Sequence, residues 1–333
     1  MGWNAVRWAM IKEEFYYDSR DGKSKLHAVR YAPDDAENIC CVVQIVHGMA
    51  EYFERYEEFA EFLTSKGCVV TGEDHMGHGK SVGENGKYGY FCEQDPATVL
   101  VRDVHRLKKA TQALYPDVPY VIMGHSMGSF IVRNYMFRYG TGVSAAIIMG
   151  TGMQPQTRLT MARILGSIQK VLFGSEYVSK LMDKLAFGKY NDRIENCKTD
   201  TDWLSRDPER VDRYRKDPMC GFVFTVNGFL TLTELTTRLN RNENIARVPK
   251  DLPVLMISGT ADPVGDYGAG VRKAYDSLNG VGVKNIRLKL YEGARHELLN
   301  ETNRDEVMQD IYDWLKEAVL QENEAGGSEG RRG

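Results

Sequence analysis

Apolar and polar positions along the chain fall into two alternating rhythms. Near-continuous apolar, β-branched runs recur at 26–31, 39–46, 68–72, 120–123, 145–149, 253–258 and 286–291. Between them, apolar residues recur at helical spacing. Segment 56–65 carries Phe59, Ala60, Phe62 and Leu63. Segment 97–114 carries Leu100, Val104, Leu107 and Leu114, and 307–320 carries Met308, Ile311, Trp314, Leu315 and Val319. A strand that is apolar on both faces is covered on both faces, so the pattern predicts a parallel sheet flanked by helices. The start differs. Residues 14–17 and 25–31 flank an Asp21-Gly22 turn and predict an antiparallel hairpin, which brings the predicted sheet to eight strands.

The rhythm stops at residue 151 and resumes at 249. Within 151–248 no strand is predicted. A helical stripe (Met161, Ile164, Leu165, Ile168, Leu172, Phe173), a second apolar piece at 178–187 and a helix around 228–239 surround a polar, loop-rich stretch. The expected organisation is an α/β core from 1–150 and 249–320, an inserted helical cap at 151–248, and a disordered, Gly-rich polar tail at 321–333.

Composition narrows the function classes. The chain has 333 residues, with 43 Lys and Arg against 46 Asp and Glu. A net charge of −3 lacks the basic excess that neutralises phosphates, so no nucleic-acid partner is expected. Mean hydropathy is −0.42 and no long apolar run exists to span a membrane. The first twenty residues carry scattered charge and predict no signal peptide. The six cysteines show no CxxC and read as buried, reduced thiols of a cytoplasmic protein.

Chemistry enters after the run at 120–123, where Gly124-His125-Ser126-Met127-Gly128 leads into a helical pattern. A G-x-S-x-G between strand and helix is a nucleophile elbow. The sharp turn strains the serine backbone, and side chains at the flanking glycines would strike neighbouring elements. Enzymes built on this elbow place their triad in the order Ser, then Asp or Glu, then His. Of seven histidines only His296 follows Ser126. Asp262 sits in the turn after the buried run at 253–258, at the strand end where open α/β sheets place their ligands. The expected roles are Ser126 as nucleophile, His296 as base and Asp262 as orienting acid. The oxyanion donors would be the backbone N–H groups of Met127 and of Met49, the latter following Gly48 in the loop after the 39–46 run. Asp74-His75-Met76-Gly77-His78-Gly79-Lys80-Ser81 could be read as a metal site, but its glycines better suit a loop held by internal hydrogen bonds. No metal and no cofactor are expected.

Together these motifs resemble the α/β-hydrolase superfamily. Within it the chain looks like the monoacylglycerol lipase and lysophospholipase group, also grouped with the serine aminopeptidases. The H-G-x-x-E…R-Y element is matched by His47, Gly48, Glu51, Arg55 and Tyr56, and D-x-x-G-H-G-x-S by Asp74, Gly77, His78, Gly79 and Ser81. The resemblance implies a serine hydrolase of carboxylic esters, with a lipid or small ester as substrate. It carries the triad onto Ser126, Asp262 and His296 and the oxyanion donors onto Met49 and Met127. The chain departs from the group where Met49 replaces a smaller residue. Two other functions stay open: an aminopeptidase, with Glu51 available to bind an ammonium, and a non-catalytic binding protein on the same fold. The cap stripe most simply packs onto the core, or else lines an acyl channel or touches a membrane surface.

Overall fold

The computed structural model describes residues 10–34, 39–84 and 86–320. The predicted tail at 321–333 lies outside the described residues, as do residues 1–9. Eight strands form one sheet: β1 (Met10–Asp18), β2 (Lys25–Pro33), β3 (Cys41–Val46), β4 (Cys68–Glu73), β5 (Tyr120–His125), β6 (Ala145–Met149), β7 (Val254–Gly259) and β8 (Ile286–Tyr291). Their order is β1-β2-β4-β3-β5-β6-β7-β8. The β1–β2 and β2–β4 pairs are antiparallel and every other pair is parallel. Strands β3 to β7 are buried along their whole length, which is why they read as near-continuous apolar runs.

The helices are α1 (Glu57–Thr64), α2 (Pro96–Leu114), α3 (Met127–Tyr139), α4 (Gln156–Phe173), α5 (Lys180–Phe187), α6 (Pro208–Lys216), α7 (Val226–Arg238), α8 (Asn242–Ile245), α9 (Ala269–Gly280) and α10 (Arg304–Leu315). One core packs α2, α3 and α9 on one face of the sheet, and a second packs α1 and α10 on the other. Helices α4 to α8 all fall between β6 and β7. The nearest thing to a strand among them is a single bridge, Val178 to Thr225.

Two expectations fail. The cysteines are all free, but only Cys41, Cys68 and Cys92 are buried. Cys197 is exposed, because it lies in the polar loop between α5 and α6 where no strand or helix covers it. Cys40 and Cys220 are half-buried. Most of the α4 stripe does not pack onto the core either: Met161 is 71% exposed, Leu172 65% and Phe173 57%, and only Leu165 packs against it. Helix α4 seats instead on Leu159, Gly166 and Gln169. A Cβ at Gly166 would stand 2.7 Å from Leu230 Cδ2, so the close approach to α7 is made through the small residue.

Register sets the site. Val46 pairs with Gly124, His125 with Met149, Met149 with Ile257 and Gly259 with Tyr291. The carboxyl ends of five strands therefore lie level. Because β4 and β5 flank β3 on opposite sides, the chain reverses direction across the sheet there, where such sheets open a crevice.

Candidate active site

Ser126 stands between β5 and α3 with φ 53° and ψ −120°, a left-handed backbone on a residue with a side chain. Such geometry costs on the order of 1–3 kcal/mol and persists only when its surroundings enforce it. They do so here: a Cβ at Gly124 would stand 2.3 Å from Gly128 O, and one at Gly128 would stand 1.9 Å from Val46 O. Ser126 N–H donates to Met149 O at 3.0 Å, which ties the elbow to β6. Met127 opens α3, where backbone N–H groups have no acceptor inside the helix.

The loop after β3 comes alongside. Ala50 also has positive φ, 53°, and its carbonyl accepts from Gly221 N–H and Tyr214 Oη. Gly48 N–H donates to Glu51 Oε1 at 2.6 Å. A Cβ at Gly48 would approach that oxygen to 2.5 Å and Ser126 Cβ to 3.1 Å, so only glycine lets this loop lie against the serine.

His296 follows β8. Its Nδ1 is 3.0 Å from Asp262 Oδ1, and both residues are buried. Asp262 also accepts Val264 N–H at 2.9 Å and Ser258 Oγ–H at 3.0 Å. Burial works to raise its carboxyl. The facing His296 charge and these three hydrogen bonds outweigh burial and hold it below its ordinary value. With Nδ1 turned to the acid, Nε2 is the ring nitrogen left for other work.

Ser126, His296, Met49 and Met127 all line one cavity of about 900 Å³. The size suits a small-molecule site. Its walls are largely apolar, with Phe130, Leu165, Met182, Phe187 and Phe229 among them, and Met161 and Leu185 also lie on its lining. Asp262 lies behind His296, outside the lining.

Sequence reasoning missed a buried charge network beneath these loops. The Arg55 guanidinium bridges Glu51 and Glu297, reaching Glu297 Oε1 and Oε2 at 2.8 Å each. Burial works to raise the Glu51 carboxyl, but Arg55 and His125 hold it far below the usual carboxylate range. The x of the elbow, His125, places Nδ1 3.2 Å from Glu51 Oε1 and Nε2 3.3 Å from His296 O. Burial disfavours its charge, yet Glu51 prevails and raises its pKa. One chain of contacts thus joins the loops of Gly48, Ser126 and His296. On the far side, Arg295 Nη1 donates to Asp202 O and Ser205 O, Glu297 N–H donates to Leu204 O, and the Trp203 ring lies 5.1 Å from that of His296. The matched E and R of H-G-x-x-E…R-Y were the only signal for this network.

The Asp74–Ser81 loop is held partly from within and partly by Phe53 and His27. Asp74 accepts Phe53 N–H, Lys80 N–H and the His27 Nδ1 hydrogen bond, and Ser81 Oγ–H donates to Asp74 O. Burial, then the neighbouring His75, pushes His78 down to about 3. Burial also leads in holding His47 well below its ordinary value.

Residues 37–303 match the family described as serine aminopeptidase, S33. The chain belongs to this family. Among its relatives, the S33-family chain is 30% identical to a monoacylglycerol lipase of Mycolicibacterium smegmatis over 279 residues, which cover 82% of this chain and 87% of that protein. The monoglyceride lipase of Mus musculus is 27% identical over 281 residues, 84% of this chain and 83% of that protein. A crystal structure of a thermostable carboxyl esterase from Bacillus coagulans, in complex with glycerol, superposes with a TM-score of 0.87 at 30% identity. It covers 94% of this chain and all of that one. The S33-family chain is a lipase- and esterase-like α/β-hydrolase. No helix among its described residues is long and apolar enough to cross a membrane.

Proposed function

We propose that the chain is a serine hydrolase of monoacylglycerols or lysophospholipids, working through an acyl-enzyme. One observation carries this reading: Ser126, strained at its elbow, shares an apolar cavity with His296, whose Nδ1 is bonded to the buried Asp262. Ser126 Oγ attacks the ester carbonyl carbon while His296 Nε2 takes the hydroxyl proton, and Asp262 steadies the imidazolium. The oxyanion accepts from the N–H groups of Met49 and Met127. As the C–O bond breaks, His296 gives its proton to the departing alcohol. Water then attacks the acyl-enzyme, His296 takes its proton and returns it to Ser126 Oγ, and the fatty acid leaves.

The names of the similar proteins support an ester with a glycerol or lysolipid head. The amide reading required Glu51 to be free for a substrate ammonium. Glu51 is 3% exposed and spent on Gly48, Tyr56, His125 and Arg55, which favours esters. We treat residues 1–150 with 249–320 as the core and 151–248 as a cap over the cavity. The exposed apolar face of α4 and α5, flanked by Arg163, Lys170, Lys180 and Lys184, would rest on an anionic membrane surface and offer the cavity lipid from there. Six free thiols fit a cytoplasmic setting.

The test is a series of esters from acetyl to stearoyl, including a monoacylglycerol. Each methylene that enters the cavity contributes about 0.8 kcal/mol, or about fourfold in kcat/KM, until the cavity is full. Ser126→Ala should abolish turnover and labelling by a fluorophosphonate. No turnover of any ester by the wild type, or labelling that survives in Ser126→Ala, overturns the proposal.

A further inference from the structure

Three cysteines converge at the opposite end of the strands from the cavity. Strand β3 opens at Cys41 and β4 at Cys68, and the two are register partners. Cys40 precedes β3, and its N–H donates to Gly67 O at 2.9 Å. Cys68 Sγ lies 3.5 Å from Cys40 Sγ and 3.2 Å from Cys41 Sγ, and all three sulfurs fall within 4.8 Å of one another. Cys41 and Cys68 are fully buried, while Cys40 is half-buried and gives the cluster a face toward solvent.

A single buried thiol behaves as a small apolar group. Three sulfurs in mutual contact offer something more, because each is a soft donor and no imidazole or carboxylate competes within the cluster. Three metal–sulfur bonds of about 2.3 Å around a trigonal centre put the sulfurs about 4 Å apart. That spacing lies inside the observed spread and needs only small side-chain rotations. Two of the donors stand on hydrogen-bonded neighbouring strands, so little chain entropy is lost on binding.

We propose that Cys40, Cys41 and Cys68 form a three-sulfur site for one soft d10 cation, Zn(II) or Cu(I). Binding releases the thiol protons to solvent. Cu(I) is satisfied by three sulfurs. Zn(II) would add a water on the exposed side of Cys40. A strand of this length spans about 20 Å, which separates the cluster from the loop at His47 to Met49. The site therefore does not depend on the ester-hydrolase reading.

The experiment uses the full chain, reduced and stripped of metal under anaerobic conditions. It is titrated with Zn(II) alone, and separately with Cu(I) alone, against a chromophoric chelator. X-ray absorption counts the sulfurs, and alkylation of Cys40 is timed with and without ion. The expected result is one ion per chain on three sulfurs, with Cys40 alkylation slowed about tenfold or more. Cys40→Ala should weaken binding about tenfold or more, as should Cys41→Ala with Cys68→Ala, while Cys197→Ala leaves it unchanged. The two titrations decide which ion is preferred, and the protection of Cys40 reads the site even if a variant fails to fold. Binding that is undiminished in a folded Cys40→Ala protein overturns the site. So does a sulfur count below three, or failure of both ions to bind.

Discussion

Consider Glu51→Gln, which changes one carboxylate oxygen to an amide nitrogen in the buried loop beside Gly48 and Met49. Glu51 Oε1 accepts Gly48 N–H at 2.6 Å and Tyr56 Oη–H at 2.9 Å, and faces His125 Nδ1 at 3.2 Å. Its Oε2 takes Arg55 Nη1. A glutamine that keeps its oxygen toward Gly48 turns its NH₂ group on Arg55, donor against donor. One charge-assisted hydrogen bond is then lost, worth about 1.5–3 kcal/mol. Arg55 keeps both oxygens of Glu297, so the about 3–5 kcal/mol cost of stranding a buried charge is not reached. The fold should survive, weakened by about 1.5–3 kcal/mol. Catalysis suffers more. Relief of the clash would shift the loop that carries Met49, the proposed oxyanion donor, and a displacement of this kind costs about 100-fold. On a soluble ester, kcat should fall about that far with KM little changed, and labelling of Ser126 by a fluorophosphonate should slow in step. Urea unfolding checks the stability. A folded Glu51→Gln protein with wild-type kcat would refute the reasoning, as would a loss that merely tracks the unfolded fraction.

Asp262→Asn should lower kcat about 10⁴-fold by leaving His296 in the wrong tautomer, and near-wild-type turnover would move the acid elsewhere. Asp103 carries a pH dependence of stability. Burial lifts its carboxyl to about 7 against hydrogen bonds from Ser19 and Arg20. Between pH ~4 and ~7 the native state thus holds a proton that the unfolded chain has released. Stability is full below pH ~4 and falls, by up to about 4 kcal/mol, as pH rises through the folded value. Asp103→Asn should flatten this slope in Tm-against-pH scans, whereas a parallel offset at every pH would sink the assignment. Val171→Glu with Leu172→Glu, on the exposed face of α4, should reduce turnover of monoacylglycerol in anionic vesicles about tenfold or more and spare soluble esters. Equal losses on both substrates would count against membrane contact.

What could be read from residues alone follows from how local its causes are. The buried strands announced themselves because both faces are covered, and the register of five parallel strands then brought the loops of Gly48, Ser126, Asp262 and His296 to one edge. Gly124 and Gly128 could be assigned a steric duty because the turn around Ser126 is set by neighbours in sequence. The exposed α4 stripe was misjudged for a related reason. Helical spacing shows that one face is apolar but not what covers it, and here α7 meets the face of Leu159 and Gly166 instead. Cys40, Cys41 and Cys68 carry no spacing motif, since strand pairing rather than sequence places them together.

The buried charges were least legible of all, for a physical reason. His125 and Glu297 look like ordinary residues, Glu51 and Arg55 belong to a motif that does not say what they touch, and only tertiary structure puts the four within hydrogen-bond reach of one another. Their position explains why the fold tolerates them. A loop that presents a backbone N–H to a reacting oxygen, the role proposed for Met49, cannot be held by apolar packing alone, because packing does not fix the direction of an amide. A carboxylate does, and Glu51 fixes Gly48 N–H just before Met49. Arg55 then compensates that charge, and its second carboxylate, on Glu297, is covalently next to His296. His125 closes the circuit from Glu51 to the His296 carbonyl. The same buried ions that would be a poor device for stability therefore set the relative positions of the loops of Gly48, Ser126 and His296, which is what the proposed chemistry requires of this edge of the sheet.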